Sequence, residues 1–223
     1  MAVILEKIVE KEIYLKKAIE EILNPTLEIT KQYLEVLEVE IENGKPKVER
    51  FEESFNENTF AIYFKIKEER FFLEIHLNKN TSEIDSVWIQ NGHRTYFTAT
   101  SENLSYSELE QILGKEKTEG WSKGELRKNG NSEYTFSRIS FEPTKCEAYE
   151  LNKQLEILLT ELEQKKENVR KLSKIANGQI SVCKHQYISG NAGVSFEKEL
   201  IERMNNLNIG IDIDTYIVGK EIK

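Results

Sequence analysis

Residues 147–176 read EAYELNKQLEILLTELEQKKENVRKLSKIA and decide the fold. Apolar residues recur in this stretch at the spacing of one helix face: Leu151, Leu155, Leu158, Leu162, Val169, Leu172 and Ala176. The spacing predicts one long amphipathic helix of about 40 Å, with a stripe that Leu159 widens and that is interrupted at Lys165. Strand-like segments flank this helix in sequence, so we expect a sheet of the same chain to cover the stripe. The stripe would also serve a homodimer, which leaves the oligomeric state open.

The N-terminal part of the chain has the pattern of a helix followed by a sheet. Apolar residues over 3–23 have helical spacing, and Asn24-Pro25 ends this helix because the residue before a proline avoids the α region. Residues 33–41 alternate with a period closer to two, which favours a strand in the second half of that stretch. Alternating apolar residues predict further strands over 60–67, 70–77 and 84–90. We expect an antiparallel meander with one buried face, against which the first helix packs.

Strands and helices alternate after Asn91-Gly92, which is a strong turn signal. The predicted order is β-α-β-α-β-α-β, and the long helix is its second helix. The other elements are strands over 93–100, 134–141, 179–188 and 209–218 and helices over 105–113 and 197–207. Ser105 and Glu108 have the spacing of a capping box, and Gly114 is a C-terminal stop. Ser195 is expected to cap the last helix.

These patterns predict an α+β fold with antiparallel or mixed sheets and helices layered on one face. We expect two closely packed domains. Residues 1–92 would form an N-terminal helix plus a β-meander, and residues 93–223 the alternating β-α domain. The sequence leaves open whether the two sheets pair across Gly92 into one continuous sheet.

Charge is unevenly distributed along this 223-residue chain, whose net charge is −8. Residues 1–92 carry 12 Lys and Arg against 19 Asp and Glu, a net charge of −7, and the remainder carries 19 against 20, a net charge of −1. An acidic N-terminal half makes nucleic acid an unlikely partner, because phosphate contacts need a basic surface. It suits a basic protein partner, and equally a surface that is acidic only for solubility.

The chain shows no targeting pattern and few cysteines. Glu6 and Lys7 interrupt any apolar signal segment, and no apolar run approaches the roughly 20 residues of a membrane span. Cys146 and Cys183 lack CxxC spacing, which argues against a zinc site. We therefore expect a cytoplasmic protein with reduced thiols, no membrane partner and no cofactor.

The second domain carries several motifs in a fixed order. A strand and helix ending at Leu113-Gly114 are followed by Trp-Ser-Lys-Gly-Glu over 121–125, the leucine-rich helix, and a terminal strand Ile-Asp-Ile-Asp-Thr-Tyr over 211–216. In this arrangement residues 93–223 resemble a widespread bacterial family of uncharacterised domains. Its members similarly have an aromatic residue before Lys-Gly and end on a strand finishing Asp-x-Tyr. The resemblance implies a fold and no activity, because none is established for that family.

Trp121 and its neighbours form the candidate binding site. The segment from Lys115 to Lys128 has five basic and three acidic residues. A tryptophan beside cations is typical of an anchor for a partner or a flat ligand, so we single out Trp121, Lys123, Arg127 and Lys128. The alternative is that Trp121 packs over the sheet edge and holds the loop in place.

Two other pairs of residues are candidate reactive groups. Asp212 and Asp214 share one face of the last strand, where they could bind a divalent metal, although a solvated strand face is the simpler interpretation. Cys183 and His185 share another strand face and could form a thiolate–imidazole pair, but no orienting acid is evident.

The remaining candidates are weaker. His76 and His93 are isolated in sequence, and the glycine-rich loop at 189–193 lacks the phosphate-binding pattern. We therefore assign no catalytic residue and no metal ligand.

Three functions from different classes follow. The first is a non-enzymatic immunity or anti-defence protein that inhibits a toxin or defence enzyme. The second is a nucleotide-signal binder in which Trp121 stacks on a base and Lys123, Arg127 and Lys128 meet phosphate. The third is a metal-dependent hydrolase built on Asp212 and Asp214.

Overall fold

The computed structural model describes residues 2–53, 58–128, 130–143, 150–190 and 193–222, with side chains from Lys11 onward except at Glu53. The described chain divides into two compact units. The first contains the described residues of 1–92, 185–192 and 216–223, and the second those of 93–184 and 193–215. The sequence analysis placed 185–192 and 216–223 in the second domain.

Helices and strands together give an α+β fold, as predicted. The described residues form six helices: α1 (Ala2–Leu23), α2 (Glu28–Val36), α3 (Tyr106–Leu113), α4 (Leu151–Glu163), α5 (Lys166–Ile175) and α6 (Lys198–Leu207). The strands that precede residue 92 are β1 (Ile41–Glu42), β2 (Lys45–Pro46), β3 (Val48–Glu53), β4 (Thr59–Lys65), β5 (Phe72–Asn78) and β6 (Ile84–Gln90). The later strands are β7 (Gly92–Ser101), β8 (Thr118–Trp121), β9 (Ser137–Phe141), β10 (Asn177–Tyr187) and β11 (Gly210–Val218).

A four-stranded antiparallel meander, in the order β3-β4-β5-β6, forms the sheet of the first unit. Its apolar face carries Ile62, Phe64, Leu73 and Ile75, all fully buried. Helix α1 contributes Tyr14, Ala18 and Ile22 to the same core. The predicted packing of the first helix on a meander is therefore confirmed. The sheet also has the strand β3, which the sequence analysis left unassigned.

The sheet of the second unit has the order β11-β10-β7-β9-β8. Strand β6, which ends at Gln90, and strand β7, which begins at Gly92, therefore belong to different sheets. Its apolar face packs on the helices through one core. The leucine stripe is buried there against strand residues such as Phe97, Ile139, Ile180 and Val182. The expected cover of the stripe by strands of its own chain is confirmed.

The prediction of one long helix is wrong, because the stripe runs along two helices. Helix α4 ends at Glu163 and α5 begins at Lys166, with Lys165 between them at φ −123° and ψ 35°, outside the helical region. No apolar residue lies between Leu162 and Val169, so a turn in this interval breaks no core contact. Both leucine-rich segments keep their apolar faces in the core.

The sequence predicted helix ends correctly where both residues of a capping box are present. Ser105 and Glu108 form the expected capping box, and Gly114 ends α3 in the left-handed conformation at φ 62°. Ser195 does not cap α6, whose N-cap is Glu197 without a side-chain hydrogen bond. The strand predicted in the second half of 33–41 is confirmed only in part: Val39 makes an isolated bridge to Ile66, and Ile41 is the first residue of β1. The first half of that stretch belongs to α2, which ends at Val36.

Candidate functional site

The second unit's sheet has a polar face opposite its helices. Side chains alternate along β7, β9 and β10, and one set enters the core. The other set is polar or aromatic, and Tyr96, Arg138 and Cys183 in it are half-buried. Thr98 and Ser181 lie between these larger groups and are bonded to each other at 3.1 Å. The face is therefore ordered and partly open to solvent.

A continuous series of rings and guanidinium groups crosses this face, and we name it the arginine–aromatic ladder. Its six members are Arg94, Tyr96, Arg138, Trp121, Tyr134 and Arg127. The Cζ atom of Arg94 is 5.0 Å from the Tyr96 ring centre, and that of Arg138 is 5.8 Å from Tyr96 and 5.3 Å from Trp121. Trp121 stacks on Tyr134, and Arg127 Cζ lies 5.4 Å from the Tyr134 ring centre.

Strand pairing explains why these residues meet. Trp121 on β8 is the cross-strand neighbour of Arg138 on β9. The strands approach closely at Gly120, where a Cβ atom would overlap the Arg138 carbonyl and lie 2.6 Å from Tyr106 Cδ2. Only a glycine fits this position, so the close approach sets the place of the neighbouring tryptophan.

Hydrogen bonds fix the ladder in one arrangement. Trp121 Nε1 donates to the Phe136 carbonyl at 3.1 Å, and Arg138 Nε donates to Ser140 Oγ at 3.2 Å. Arg94 Nη2 donates to Glu142 Oε2 at 2.6 Å, which raises the pKa of Arg94. Such preordering lowers the conformational entropy that a binding event must remove.

The described residues of 122–136, which we call the arm, continue the ladder beyond the strands. The backbone N–H of Gly124 donates to Tyr134 O and that of Tyr134 to Glu125 O, both at 2.9 Å. Leu126 forms a bridge with Glu133 and is 66% exposed. The arm is therefore a hydrogen-bonded, hairpin-like segment. The sequence predicted a polar loop here and a strand that starts at Tyr134.

The four predicted binding residues have different positions. Trp121 and Arg127 are members of the ladder. Lys123 Nζ donates to the Glu102 carbonyl at 3.3 Å, and its side chain is exposed. Lys128 is exposed near the middle of the arm sequence. Their role in binding stays a prediction.

Sequence reasoning missed Arg94, Tyr96, Tyr134 and Arg138 as parts of the site. The signal that could have revealed them is the alternation Tyr134, Phe136, Arg138, Ser140, which puts the arginine on the same side as two aromatic rings. Arg138 looked like an interruption of that pattern.

The Cys183 thiol belongs to the same face. Its Sγ atom lies 3.7 Å from Tyr96 Oη. Burial raises the pKa of Tyr96, and the bond with Cys183 raises it further, whereas Arg138 lowers it. His185 stacks on Tyr216 with ring centres 5.2 Å apart, and burial lowers the pKa of His185. Each residue of the proposed thiolate–imidazole pair is thus engaged with a tyrosine.

The two aspartates of β11 are exposed. Gln179 Nε2 donates to Asp212 Oδ2 at 3.4 Å. In the part of the chain that the structure describes, no group of three or more His, Cys, Asp or Glu side chains is placed to hold a metal ion. The exposure of both carboxylates is what the simpler interpretation, a solvated strand face, requires.

A second cluster, of which only His76 was a sequence-based candidate, lies on the other face of the first unit's sheet. Cross-strand neighbours form the row Arg50, Tyr63, Glu74, Trp88. Glu74 Oε1 is 2.6 Å from His76 Nε2, and Glu74 Oε2 accepts a bond of 2.9 Å from Trp88 Nε1. Glu74, His76 and Tyr63 are buried. Each oxygen of the Glu74 carboxylate has a hydrogen-bond partner within the cluster, which favours a structural role for Glu74.

Comparisons with known proteins give one match. The family model for the domain of unknown function DUF4279 matches residues 91–218. No curated protein and no solved structure matches the chain. Among the described residues, no helix combines the length and apolar character needed to cross a membrane.

Proposed function

Since the chain belongs to the DUF4279 family, a domain of unknown function, its role has to be inferred from its own surface, and we propose that it is a non-enzymatic protein-binding module. The arginine–aromatic ladder would be its contact surface. The partner would be a toxin or a defence enzyme, and binding would inhibit it. Such an immunity or anti-defence protein would act in the cytoplasm.

The observation that carries the proposal is the composition of the ladder. Trp, Tyr and Arg are the residues that most often dominate the energy of protein interfaces. Here three aromatic rings and three guanidinium groups stand in one series and are held by hydrogen bonds and stacking. A flat, preordered sheet face of this kind fits a protein surface better than a small molecule, which usually needs a concave site.

Charge supports a basic partner. The net charge of −8, of which −7 lies in residues 1–92, favours long-range encounter with a positively charged protein, because complementary fields increase the association rate. The guanidinium groups of the ladder would then meet acidic or carbonyl groups of that partner. A nuclease-like toxin, whose own surface must attract phosphate, has the required sign.

A nucleotide ligand is the second candidate, and the stacking of Trp121 weakens it. Tyr134 stacks on the indole at 4.3 Å and Arg138 lies over it at 5.3 Å, so a base would have to displace one of them. A thermal-shift screen separates the candidates. Stabilisation by a nucleotide would favour this second function.

The direct experiment is capture from the native host with tagged protein. We expect a basic protein to be retained by the wild type, to be lost with Arg138→Ala, and to be retained with Lys171→Ala, an exposed lysine of α5. The captured protein should lose its own activity in the complex. A partner that binds Arg138→Ala as well as wild type, or that remains fully active when bound, would contradict the proposal.

A further inference from the structure

Strand β11 is the outermost strand of the five-stranded sheet, and among the described residues no strand lies beyond it. One set of its side chains anchors it, because Ile211 and Ile213 pack against the core of the second unit. The intervening residues Gly210, Asp212 and Asp214 are exposed, and so is Thr215. The strand is therefore anchored through one set of side chains and exposed through the other.

Of the usual protections of an edge strand, β11 carries charged side chains, Asp212 and Asp214, which repel an acidic strand and admit a basic one. Natural edge strands are commonly short, or carry lysine or proline. β11 has nine residues and contains neither of them. The other edge strand of the sheet, β8, has only four residues. An accessible strand of this length is a template for an added strand.

The charge around β11 determines which kind of segment can pair with this edge. Residues 197–214 carry five acidic side chains, of Glu197, Glu199, Glu202, Asp212 and Asp214, and two basic ones, of Lys198 and Arg203. Arg203 is paired with Glu163 at 2.8 Å. An added strand would place alternate side chains beside the two aspartates, where opposite charges stabilise and like charges destabilise.

A second copy of this chain fits poorly. Antiparallel pairing of two β11 strands about Ile213 would put Asp212 of each copy opposite Asp214 of the other. Parallel pairing in register would put each aspartate beside its own counterpart. Both arrangements bring like charges together.

We propose that the free edge of β11 over residues 210–215 docks an extended, lysine- or arginine-rich segment of a partner protein, which adds a sixth strand to the sheet. Main-chain hydrogen bonds give the affinity, and cation–carboxylate pairs with Asp212 and Asp214 select a basic sequence. This surface is separate from the ladder, whose strand residues lie on β7, β8 and β9, so the two proposals can fail independently.

The test uses a fluorescent nine-residue peptide of alternating lysine and valine, with fluorescence anisotropy as the readout. A second peptide has the same side chains but N-methyl groups on alternate amides, which remove its strand-pairing donors. The protein variants are Asp212→Lys/Asp214→Lys and the charge-matched control Glu156→Lys/Glu167→Lys, at two exposed residues of α4 and α5.

We expect the unmodified peptide to bind, and to bind about tenfold more weakly to the aspartate variant than to the control. N-methylation should weaken binding by about as much. Hydrogen exchange should show added protection of amides in 210–215 when the peptide is bound.

Three results would overturn the proposal: absence of binding, equal binding of the N-methylated peptide, and equal weakening in the control variant. Concentration-dependent dimerisation that protects the same amides would assign the edge to a second copy and would also overturn it. Arg138→Ala should leave peptide binding unchanged, so a failure here is distinguishable from a failure of the ladder.

Discussion

The rings of Trp121 and Tyr134 are stacked, with their centres 4.3 Å apart and their planes 15° from parallel. Tyr134 belongs to the arm, and Trp121 ends β8. The contact therefore joins the arm to the sheet, and it does so with groups that are only half-buried. A stack in this position both orders the arm and presents two rings and two arginines to solvent.

The stack can be tested by fluorescence in a Trp88→Phe background, where Trp121 is the remaining tryptophan. Tyr134→Ala should shift the emission of Trp121 to longer wavelength and lower the free energy of unfolding by about 1 kcal/mol, because an aromatic pair adds that much beyond burial. Leu126→Ala changes a more exposed residue of the same arm and is the matched control. An unchanged emission spectrum in Tyr134→Ala would show that the rings do not stack in solution.

Gly120 gives a sharper test of how the ladder is positioned. Gly120→Ala would press a methyl group against the Arg138 carbonyl and the Tyr106 ring. We expect a loss of about 2 kcal/mol or more in the free energy of unfolding, since overpacking at rigid backbone is costly.

Gly210→Ala is the control for this substitution, because a Cβ atom at Gly210 meets nothing within 4 Å and the residue also lies in a strand. Urea denaturation of the two variants measures the difference. Equal stability would mean that β8 does not approach Tyr106 as closely as the structure shows.

The sequence predicted elements where one local pattern is decisive. Leu158 and Leu172 are buried as their helical spacing required, and the Ser105–Glu108 box is formed. The break at Lys165 was visible as a gap in the stripe. The sequence did not reveal that this gap is a turn between two helices, because the charged residues over 163–168 have adequate helix propensity.

The site was less accessible to sequence reasoning. Trp121 could be selected because tryptophan beside cations is rare, but Arg138 and Tyr96 become significant only through strand register. The same holds for Glu74, which no sequence motif singled out. Its neighbours Tyr63 and Trp88 come from other strands, and no pattern within one strand reports them.

The loss of stability at acidic pH, here called the acid limb, should depend on Glu21. This buried carboxylate accepts bonds from Thr26 Oγ1 at 2.6 Å and from the backbone N–H of Leu27 at 3.0 Å, just before α2. Burial alone would raise the pKa of Glu21, but these hydrogen bonds outweigh it and lower the pKa. The stabilisation is therefore present above the unfolded pKa and is lost as the pH falls through the folded pKa.

Glu21→Gln should cost about 2 kcal/mol at pH 7, and its stability should fall less than that of wild type when the pH is lowered below about 4.5. Thr26→Ala removes one donor and should give an intermediate acid limb. Denaturation curves at a series of pH values measure both effects. If wild type and Glu21→Gln lose stability in parallel on acidification, the carboxylate is not ionised and bonded as described.

The loss of stability at alkaline pH, here called the alkaline limb, should depend on Tyr63, whose pKa is raised on folding where that of Glu21 is lowered. Burial raises the pKa of Tyr63 strongly, and the charges of Glu74 and Glu52 and the hydrogen bonds with them raise it further. The folded state therefore holds the phenol neutral. Its stabilisation is fully present below the unfolded pKa of about 10 and is lost as the pH rises towards the folded pKa.

Tyr63→Phe should be less stable than wild type at pH 7 by about 1–3 kcal/mol, because the carboxylates of Glu74 and Glu52 lose the single O–H donor of the phenol. Above pH 10 its stability should fall less steeply, since a phenol that must ionise is gone. Glu74→Gln removes one of the charges that raise the pKa of Tyr63, so the phenol of the folded variant should ionise at lower pH. The loss of stability still begins at the unfolded pKa, but it should level off at a lower pH than in wild type. Absorbance of tyrosinate at each pH follows the ionisation directly. A Tyr63→Phe variant with the alkaline limb of wild type would place the phenol outside the carboxylate cluster and would remove the basis for treating that cluster as one hydrogen-bonded unit.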